Sequence, residues 1–434
     1  MERKKPAIEL VKNDPAEARN TAPGGARPEA SKQEKPVLDE RGLADMPFLI
    51  LTVLLVGIGL IMLFSASYAR SYEETGNAAH YFVRQAIFAV SGIGIMWAIS
   101  RLNYQVWRFG GIVILVASLL FLVAVPFVGE SSGGATRWIN LGFVRFQPSE
   151  LAKLGMVLTF ATMMSLWKDQ MHTFRYGVAP YIGIMGVIAG LLFLEPHLSA
   201  TMIIAAVGAI MMYQGGTAKK WFLVGAVGLA LLVVVYLNFK GYSSQRIEAW
   251  LDPDNEDYAQ SIAYQINQSR MAIGSGGLTG LGFGKSRQKY LYLPEEHNDY
   301  IFAVVCEELG FLGAAAIILL FVLLIVRGYW LAMHARDRFG ALTITGLISL
   351  LAIQVFLNIG VVSNLLPSTG IGLPFFSYGG TALWINLAEM GIILGVSRQN
   401  TNNIRTAEKR KKRKNTGGNA HARNVHLRRN RRSH

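Results

Sequence analysis

The sequence predicts an all-α polytopic membrane protein of about ten transmembrane helices, with a large extracytoplasmic loop between the seventh and eighth. Three observations predict it. Only 16% of the 434 residues are charged and 52% are hydrophobic, where soluble domains carry about a quarter charged residues. Apolar runs of roughly 20 residues, the length that crosses hydrocarbon as a helix, recur along the chain. The first run begins near Met46, too far in for an ordinary signal peptide, and others follow it.

Residues 1–45 are rich in Lys, Glu, Ala, Pro and Gly and poor in aromatics. They cannot bury enough apolar surface to fold and read as a disordered cytoplasmic tail. A membrane domain over 46–398 follows. Its spans are expected at 46–68, 82–100, 109–128, 149–167, 177–194, 198–214, 220–238, 300–326, 340–362 and 376–396. The fifth and sixth are split at Glu195-Pro196-His197, which suits either a turn at the membrane edge or a kinked deep helix. The single cysteine, Cys306, lies in an apolar run. It excludes an internal disulfide and a cysteine-based metal site within one chain, and reads as a free buried thiol.

An even number of spans puts both termini on one side, and Lys and Arg choose the side. The two tails and the short loops on their side hold 31 of the 42 basic residues. The opposite loops hold 9, and Arg84 and Lys153 fall within spans. Both termini are therefore expected to be cytoplasmic, with the 239–299 loop outside. The basic tail, 399–434, contains Lys409-Arg410-Lys411-Lys412-Arg413-Lys414. No nucleic-acid-binding module accompanies this charge, so its expected partner is anionic lipid and not nucleic acid.

Four stretches carry chemistry. The first ends in Gln147-Pro148-Ser149-Glu150-Leu151-Ala152-Lys153, where Pro148 starts a helix. Glu150 and Lys153 are three apart and share a face. They read either as an ion pair that neutralises itself on entering the membrane or as a polar cavity wall. The second is Glu195-Pro196-His197. The third is the outer loop, with Gln245 and Arg246 at its start and an amphipathic helix over 259–273 that could lie flat at the acyl boundary. Its glycines, from Gly274 to Gly284, stand beside Lys285, Arg287 and Lys289. They read as a phosphate cradle or as a flexible solvated loop. The loop ends in Leu293-Pro294-Glu295-Glu296-His297-Asn298-Asp299-Tyr300, a set of acids at the mouth of a membrane helix. Glu295 and Glu296 are expected toward solvent from Asp299. The fourth, Leu366 to Gly380, breaks helix with prolines and glycines and carries Ser377. Irregular backbone at membrane depth belongs in protein or at a wet cavity.

These stretches resemble the SEDS family of membrane glycosyltransferases, which includes FtsW, RodA and SpoVE. The resemblance runs from about Met46 to Arg398 on RWINLG…QPSELAK, AIGSGG, LPEEHNDYIFAVVCEELG and LPFFSYGG. The GFGKSRQKYLYLPE segment and the long tails are more similar to FtsW or SpoVE than to RodA. The resemblance implies polymerisation of lipid II, the lipid-linked disaccharide peptide, into glycan on the outer face of a bacterial cytoplasmic membrane, in cell division. It implies a catalytic carboxylate at Asp299, polar cavity residues at Glu150, Lys153 and Gln245, and a class B penicillin-binding protein as partner among other division proteins. Many members carry aspartate where this chain has His197, so that role is not transferred.

Glycosyl transfer needs a base for the acceptor hydroxyl and positive charge for the departing diphosphate. Asp299 suits the first task. Arg246, Lys285 and Arg287 suit the second, with His297 and Ser377 lining the same mouth. The residues fix no cofactor; a divalent cation, Mg²⁺ or Mn²⁺, is compatible with the diphosphate. A lipid II flippase would use the same groups but needs access from both sides, and a non-catalytic division scaffold would not need Asp299.

Overall fold

The structure, a computed structural model, describes residues 42–132, 135–140, 142, 144–195, 197–225, 250–251 and 262–399. The fold is mostly helical. In chain order the helices are α1 (Met46–Thr75), α2 (His80–Ser100), α3 (Trp107–Val128), α4 (Pro148–Leu166), the short α5 (Phe174–Gly177), α6 (Ala179–Leu194), α7 (Leu198–Gln214), α8 (Ile262–Gly276), α9 (Ile301–Met333), α10 (Arg338–Val362) and α11 (Gly380–Arg398). Among the described residues, seven helices are long and apolar enough to cross a membrane. The expected seventh span, 220–238, lies mostly outside them, as do both tails, Gln245 and Arg246.

Local sequence explains the main boundaries. Asp45 caps α1 by accepting from Phe48 N at 3.1 Å, with Pro47 in the first turn. Pro148 opens α4 as expected. Helix α6 ends at Leu194 and α7 starts at Leu198; Leu192 O accepts from both Glu195 N and His197 N, and α6 packs on α7 as a separate helix. One element departs from the all-helical expectation. Strands β1 (Glu130–Ser132), β2 (Ala135–Asn140) and β3 (Arg145–Phe146) form a small antiparallel sheet before α4. Thr136, Trp138 and Ile139 favour a pleated surface.

Small residues let the helices close on one another. A Cβ on Gly155 would lie 2.7 Å from Leu115 N, so α3 and α4 meet backbone to side-chain stub. The layer around α4, α10 and α11 forms the core.

The largest difference from expectation is in α9. It breaks at Gly310, whose φ of 65° and ψ of −168° suit only glycine. Residues Ile301 to Glu308 are buried throughout, including Cys306, while exposed apolar side chains begin at Phe311 and Leu312. The exposed apolar side chains of α9 therefore run over 311–333, beyond the break, where the sequence led to a span over 300–326. Those 23 residues span roughly 34 Å, enough for a hydrocarbon core of about 30 Å. The backbone groups freed by the break are paired by the preceding loop. Phe311 N and Leu312 N donate to Gly277 O and Leu278 O at 2.9 and 3.1 Å, and Leu281 N and Gly282 N donate to Glu307 O and Glu308 O, both at 3.0 Å.

Helix α8 appears close to where the amphipathic stretch placed it, but its inner face meets protein. Ala263, Ile266, Ser269, Ala272 and Gly276 are buried, α8 packs on α9, and Ser269 Oγ donates to Val362 O at 2.7 Å. At the other end of the bundle, Asp45 pairs with Arg327 and Asp337 with Arg108.

Candidate functional site

Asp299 precedes α9 and is half-buried. Its backbone is held from α10. Asn358 Nδ2 donates to Asp299 O at 2.8 Å and to Ile371 O at 2.7 Å, so one amide joins the 297–300 segment to the irregular 366–379 loop. The joint is repeated. Ser377 Oγ donates to Asn298 O at 2.7 Å and accepts from Leu373 N at 2.6 Å. Tyr378 N donates to His297 O at 2.9 Å. Gln85 on α2 holds Ser377 O and Gly379 N, each at 3.2 Å. Gly370 has φ +67°, and a Cβ there would sit 3.4 Å from Asp299 Oδ2. A glycine thus serves both the turn and the open space beside the carboxylate.

The expected residues divide into three groups. Asp299, His297 and Ser377 are brought together. Here Ser377 and His297 have internal tasks: Ser377 stitches the loop, and the His297 ring clusters with Tyr81 and Tyr378, 5.0 and 5.9 Å between centroids. Glu150 and Lys153 form a close pair on α4, Nζ to Oε2 at 2.8 Å, with side chains 15% and 3% exposed. They adjoin the same end through α11, whose Thr381 Oγ1 donates to Arg145 O at 2.9 Å, just before α4. Lys285 and Arg287 are exposed. Lys289, counted with them from sequence, is consumed internally. Its Nζ donates to Gly284 O at 2.6 Å, Glu308 Oε1 at 3.1 Å and Ser65 Oγ at 3.2 Å.

Two glycines of the glycine-rich stretch have a packing task. A Cβ on Gly276 would lie 2.0 Å from Cys306 O, and one on Gly280 would lie 2.1 Å from Glu308 O. The glycines admit the loop against α9. Glu307 completes the joint by accepting from Ser286 Oγ, Arg287 N at 2.9 Å and Gln288 N at 3.3 Å. Glu307 and Glu308 are loop anchors.

Glu296 also corrects an expectation. It is fully buried instead of facing solvent, and it accepts from Arg70 Nε at 2.8 Å and Arg70 Nη2 at 3.1 Å. Burial opposes its ionisation, yet the His297 imidazole and the Arg70 guanidinium hold its carboxyl below the usual carboxylate range. A depressed carboxyl stabilises above its unfolded value and loses that contribution as pH falls through the folded one. Glu296→Gln should lower stability by about 2–3 kcal/mol, less than the roughly 3–5 of a fully buried pair because Arg70 is partly exposed. Thermal melts in detergent check it; an unchanged midpoint near neutral pH contradicts it.

Sequence reasoning noted Glu195 but did not assign it. It is 2% exposed, and both carboxylate oxygens lack a hydrogen-bond partner among the described residues. Burial pushes its carboxyl up to about 8, against the pull of Arg137. Two residues on, His197 is buried, and Ser199 Oγ donates to Thr369 O beside Gly370. The residues just after the second stretch therefore touch the fourth next to Asp299. Glu389 on α11 was missed altogether; an acid within an apolar run was the available signal.

Among the described residues, no group of three or more His, Cys, Asp or Glu is placed to hold a metal ion. The arrangement can present a carboxylate beside an open, glycine-lined loop, with a buried carboxylate–ammonium pair nearby.

A family profile described as "Cell cycle protein", covering FtsW, RodA and SpoVE, matches residues 46–402. The probable peptidoglycan glycosyltransferase FtsW of Trichlorobacter lovleyi is 37% identical over 356 residues, 81% of this chain and 93% of that one. Stage V sporulation protein E of Bacillus subtilis is 38% identical over 357 residues, 82% of this chain and 97% of that one. Two solved structures are similar over 82% of this chain and 98% of theirs, each at 28% identity. One is from a peptidoglycan synthase complex that coordinates polymerisation and crosslinking, with a TM-score of 0.69; the other is the rod shape determining protein RodA of Thermus thermophilus, with a TM-score of 0.62.

Proposed function

The chain belongs to the FtsW/RodA/SpoVE family of cell cycle proteins, and from this we propose that it is a peptidoglycan glycosyltransferase that polymerises lipid II. We place the reaction on the outer face of the membrane, with both termini cytoplasmic, and in septal wall synthesis. The observation that carries the reading is Asp299, whose backbone is fixed by Asn358 and whose carboxylate faces the space that Gly370 leaves open.

Asp299 takes the proton from the acceptor sugar hydroxyl as that oxygen attacks the donor's anomeric carbon. The bond to the diphosphate breaks, and the diphosphate leaves with the electron pair. A preorganised base needs this rigid backbone, because misplacement is costly in rate. Lys285 and Arg287 are exposed cations suited to the diphosphate, and Glu150 and Lys153 to the polar wall. Mg²⁺ or Mn²⁺ carried by the diphosphate fits this chemistry, since such ions are often held through substrate phosphates plus one or two carboxylates. Likeness to a chain of a peptidoglycan synthase complex supports a class B penicillin-binding protein as partner.

The test is incubation of purified protein with lipid II, with and without a partner transpeptidase, followed by glycan sizing. Polymer in either arm supports the reading. Transfer of lipid II between leaflets without polymer identifies a flippase instead.

Lys153→Ala should reduce polymer yield more than Lys285→Ala at equal expression. Lys153 is buried on α4, where an ionisable group is rarely idle. Lys285 is exposed, with Arg287 near it in sequence. The reverse order places the polar wall elsewhere.

A further inference from the structure

A cavity of about 420 Å³ opens between the ends of α7 and α9 and the first turns of α10. It lies at the far end of α9 from Asp299, where the exposed apolar side chains that begin at Phe311 end at Met333. That is the level of the lipid headgroups. Its lining is mixed. Ala332, Met333 and Leu342 are apolar, and Arg338, Gln214 and Tyr329 are not. Arg338 is half-buried. Among the described residues its guanidinium makes one hydrogen bond, Nη2 to Gly215 O at 2.7 Å, and no ion pair. The carboxylate next to it in sequence, Asp337, is committed elsewhere: it accepts from Tyr104 at 2.8 Å, Gln105 Nε2 at 2.9 Å and Arg108 Nη2 at 3.1 Å. A cation taken partly out of water without a counter-ion is costly. The planar guanidinium keeps further N–H donors, in a fork that matches phosphate oxygens.

We propose that this cavity binds an anionic phospholipid, with the phosphate on Arg338 and an acyl chain against Leu342 and Met333. A free phosphate would satisfy the guanidinium but leave the apolar lining in water; a lipid satisfies both. Basic pockets between membrane helices hold anionic headgroups in this way. The site shares no residue with the Asp299 mouth, so it stands whether or not the chain polymerises lipid II.

The test uses the purified full-length chain in an uncharged detergent, mixed with phosphatidylglycerol or with phosphatidylcholine of the same acyl chains. Native mass spectrometry counts the bound lipid, and melting is followed beside it. Phosphatidylglycerol should be retained more and should raise the melting midpoint further, as a ligand of the folded state does. Arg338→Gln should lower its retention about tenfold, the scale of one charge-assisted contact, and leave phosphatidylcholine unchanged. Arg336→Gln removes the same charge from an exposed side chain outside the cavity lining and should keep parent-like retention. Equal losses in these two variants would mean attraction by net charge and overturn the site. Ala341 also lines the cavity. Ala341→Phe fills the space with the guanidinium intact, so it too should lower retention, and it decides the matter if Arg338→Gln does not fold. Parent-like retention by Ala341→Phe overturns the cavity as the place of binding. Inorganic phosphate and acyl-free glycerophosphoglycerol are the competing arms. Displacement of the lipid by either at equal phosphate concentration would make this a phosphate site and overturn the lipid.

Discussion

Asp299→Asn should nearly abolish polymer formation, by about 10²–10⁴-fold, the range that general-base catalysis contributes. The substitution spares the surroundings. Asn358 holds Asp299 through its backbone carbonyl, which the variant keeps. One carboxylate oxygen becomes an amide nitrogen of nearly equal size, so the shape of the side chain beside Gly370 is kept. Folding and lipid II binding should therefore survive, and each should be measured apart from glycan length. Glu295→Gln is the internal control. Glu295 is exposed, and its carboxylate accepts a local bond from Asn298 Nδ2 at 2.6 Å, so its variant should retain most activity. Full activity of Asp299→Asn would remove the carboxylate from the reaction and favour a flippase or scaffold. Loss of binding together with rate would assign Asp299 to holding a cation or the local structure.

Gly310→Ala should give a large loss of stability. The backbone there lies in a region that essentially only glycine occupies, at a cost of about 1–3 kcal/mol for other residues. The new Cβ would also stand 2.3 Å from Gly280 N and 2.7 Å from Leu278 O. Both are backbone atoms, so the neighbours cannot rotate away, and overpacking typically adds about 1–3 kcal/mol more. The paired bonds between 277–282 and 307–312 would open, and with them the seating of the segment that leads to Asp299. A lowered melting midpoint, or failure to purify as a monodisperse species, is the expected result. Parent-like melting would mean that α9 straightens without penalty.

The apolar runs made the membrane class legible, because their length is set by the bilayer and not by tertiary context. Pro148 made the start of α4 legible for a similarly local reason. The break in α9 was not, since one glycine within Leu309-Gly310-Phe311 reads like many glycines in membrane helices. The acids before and after Tyr300 look alike in sequence but separate in the fold. Glu296 meets Arg70, 226 residues away, and Glu308 meets Ser65 and Lys289, partners that no local pattern reveals. The sheet before α4 was not legible because β1 and β3 are too short for a period-two signal and Ala135–Asn140 does not alternate apolar and polar residues. Asp299, Ser377 and His297 could be named together from motif likeness, but their joint through Asn358 depends on α10 lying behind them.

The burial of Cys306 has a practical consequence for spectroscopy. It is the only thiol in the chain, and it sits in the closely packed part of α9 beneath Gly276. Dyes that react with accessible thiols will pass it by in the folded protein, so the native chain is already a low-background host for site-directed labels. Cysteines introduced at exposed positions such as Tyr72 and Tyr292 would carry a donor and an acceptor fluorophore. Energy transfer between them would then follow the distance from α1 to the 277–300 segment during turnover, in a protein whose own sulfur stays silent until it unfolds.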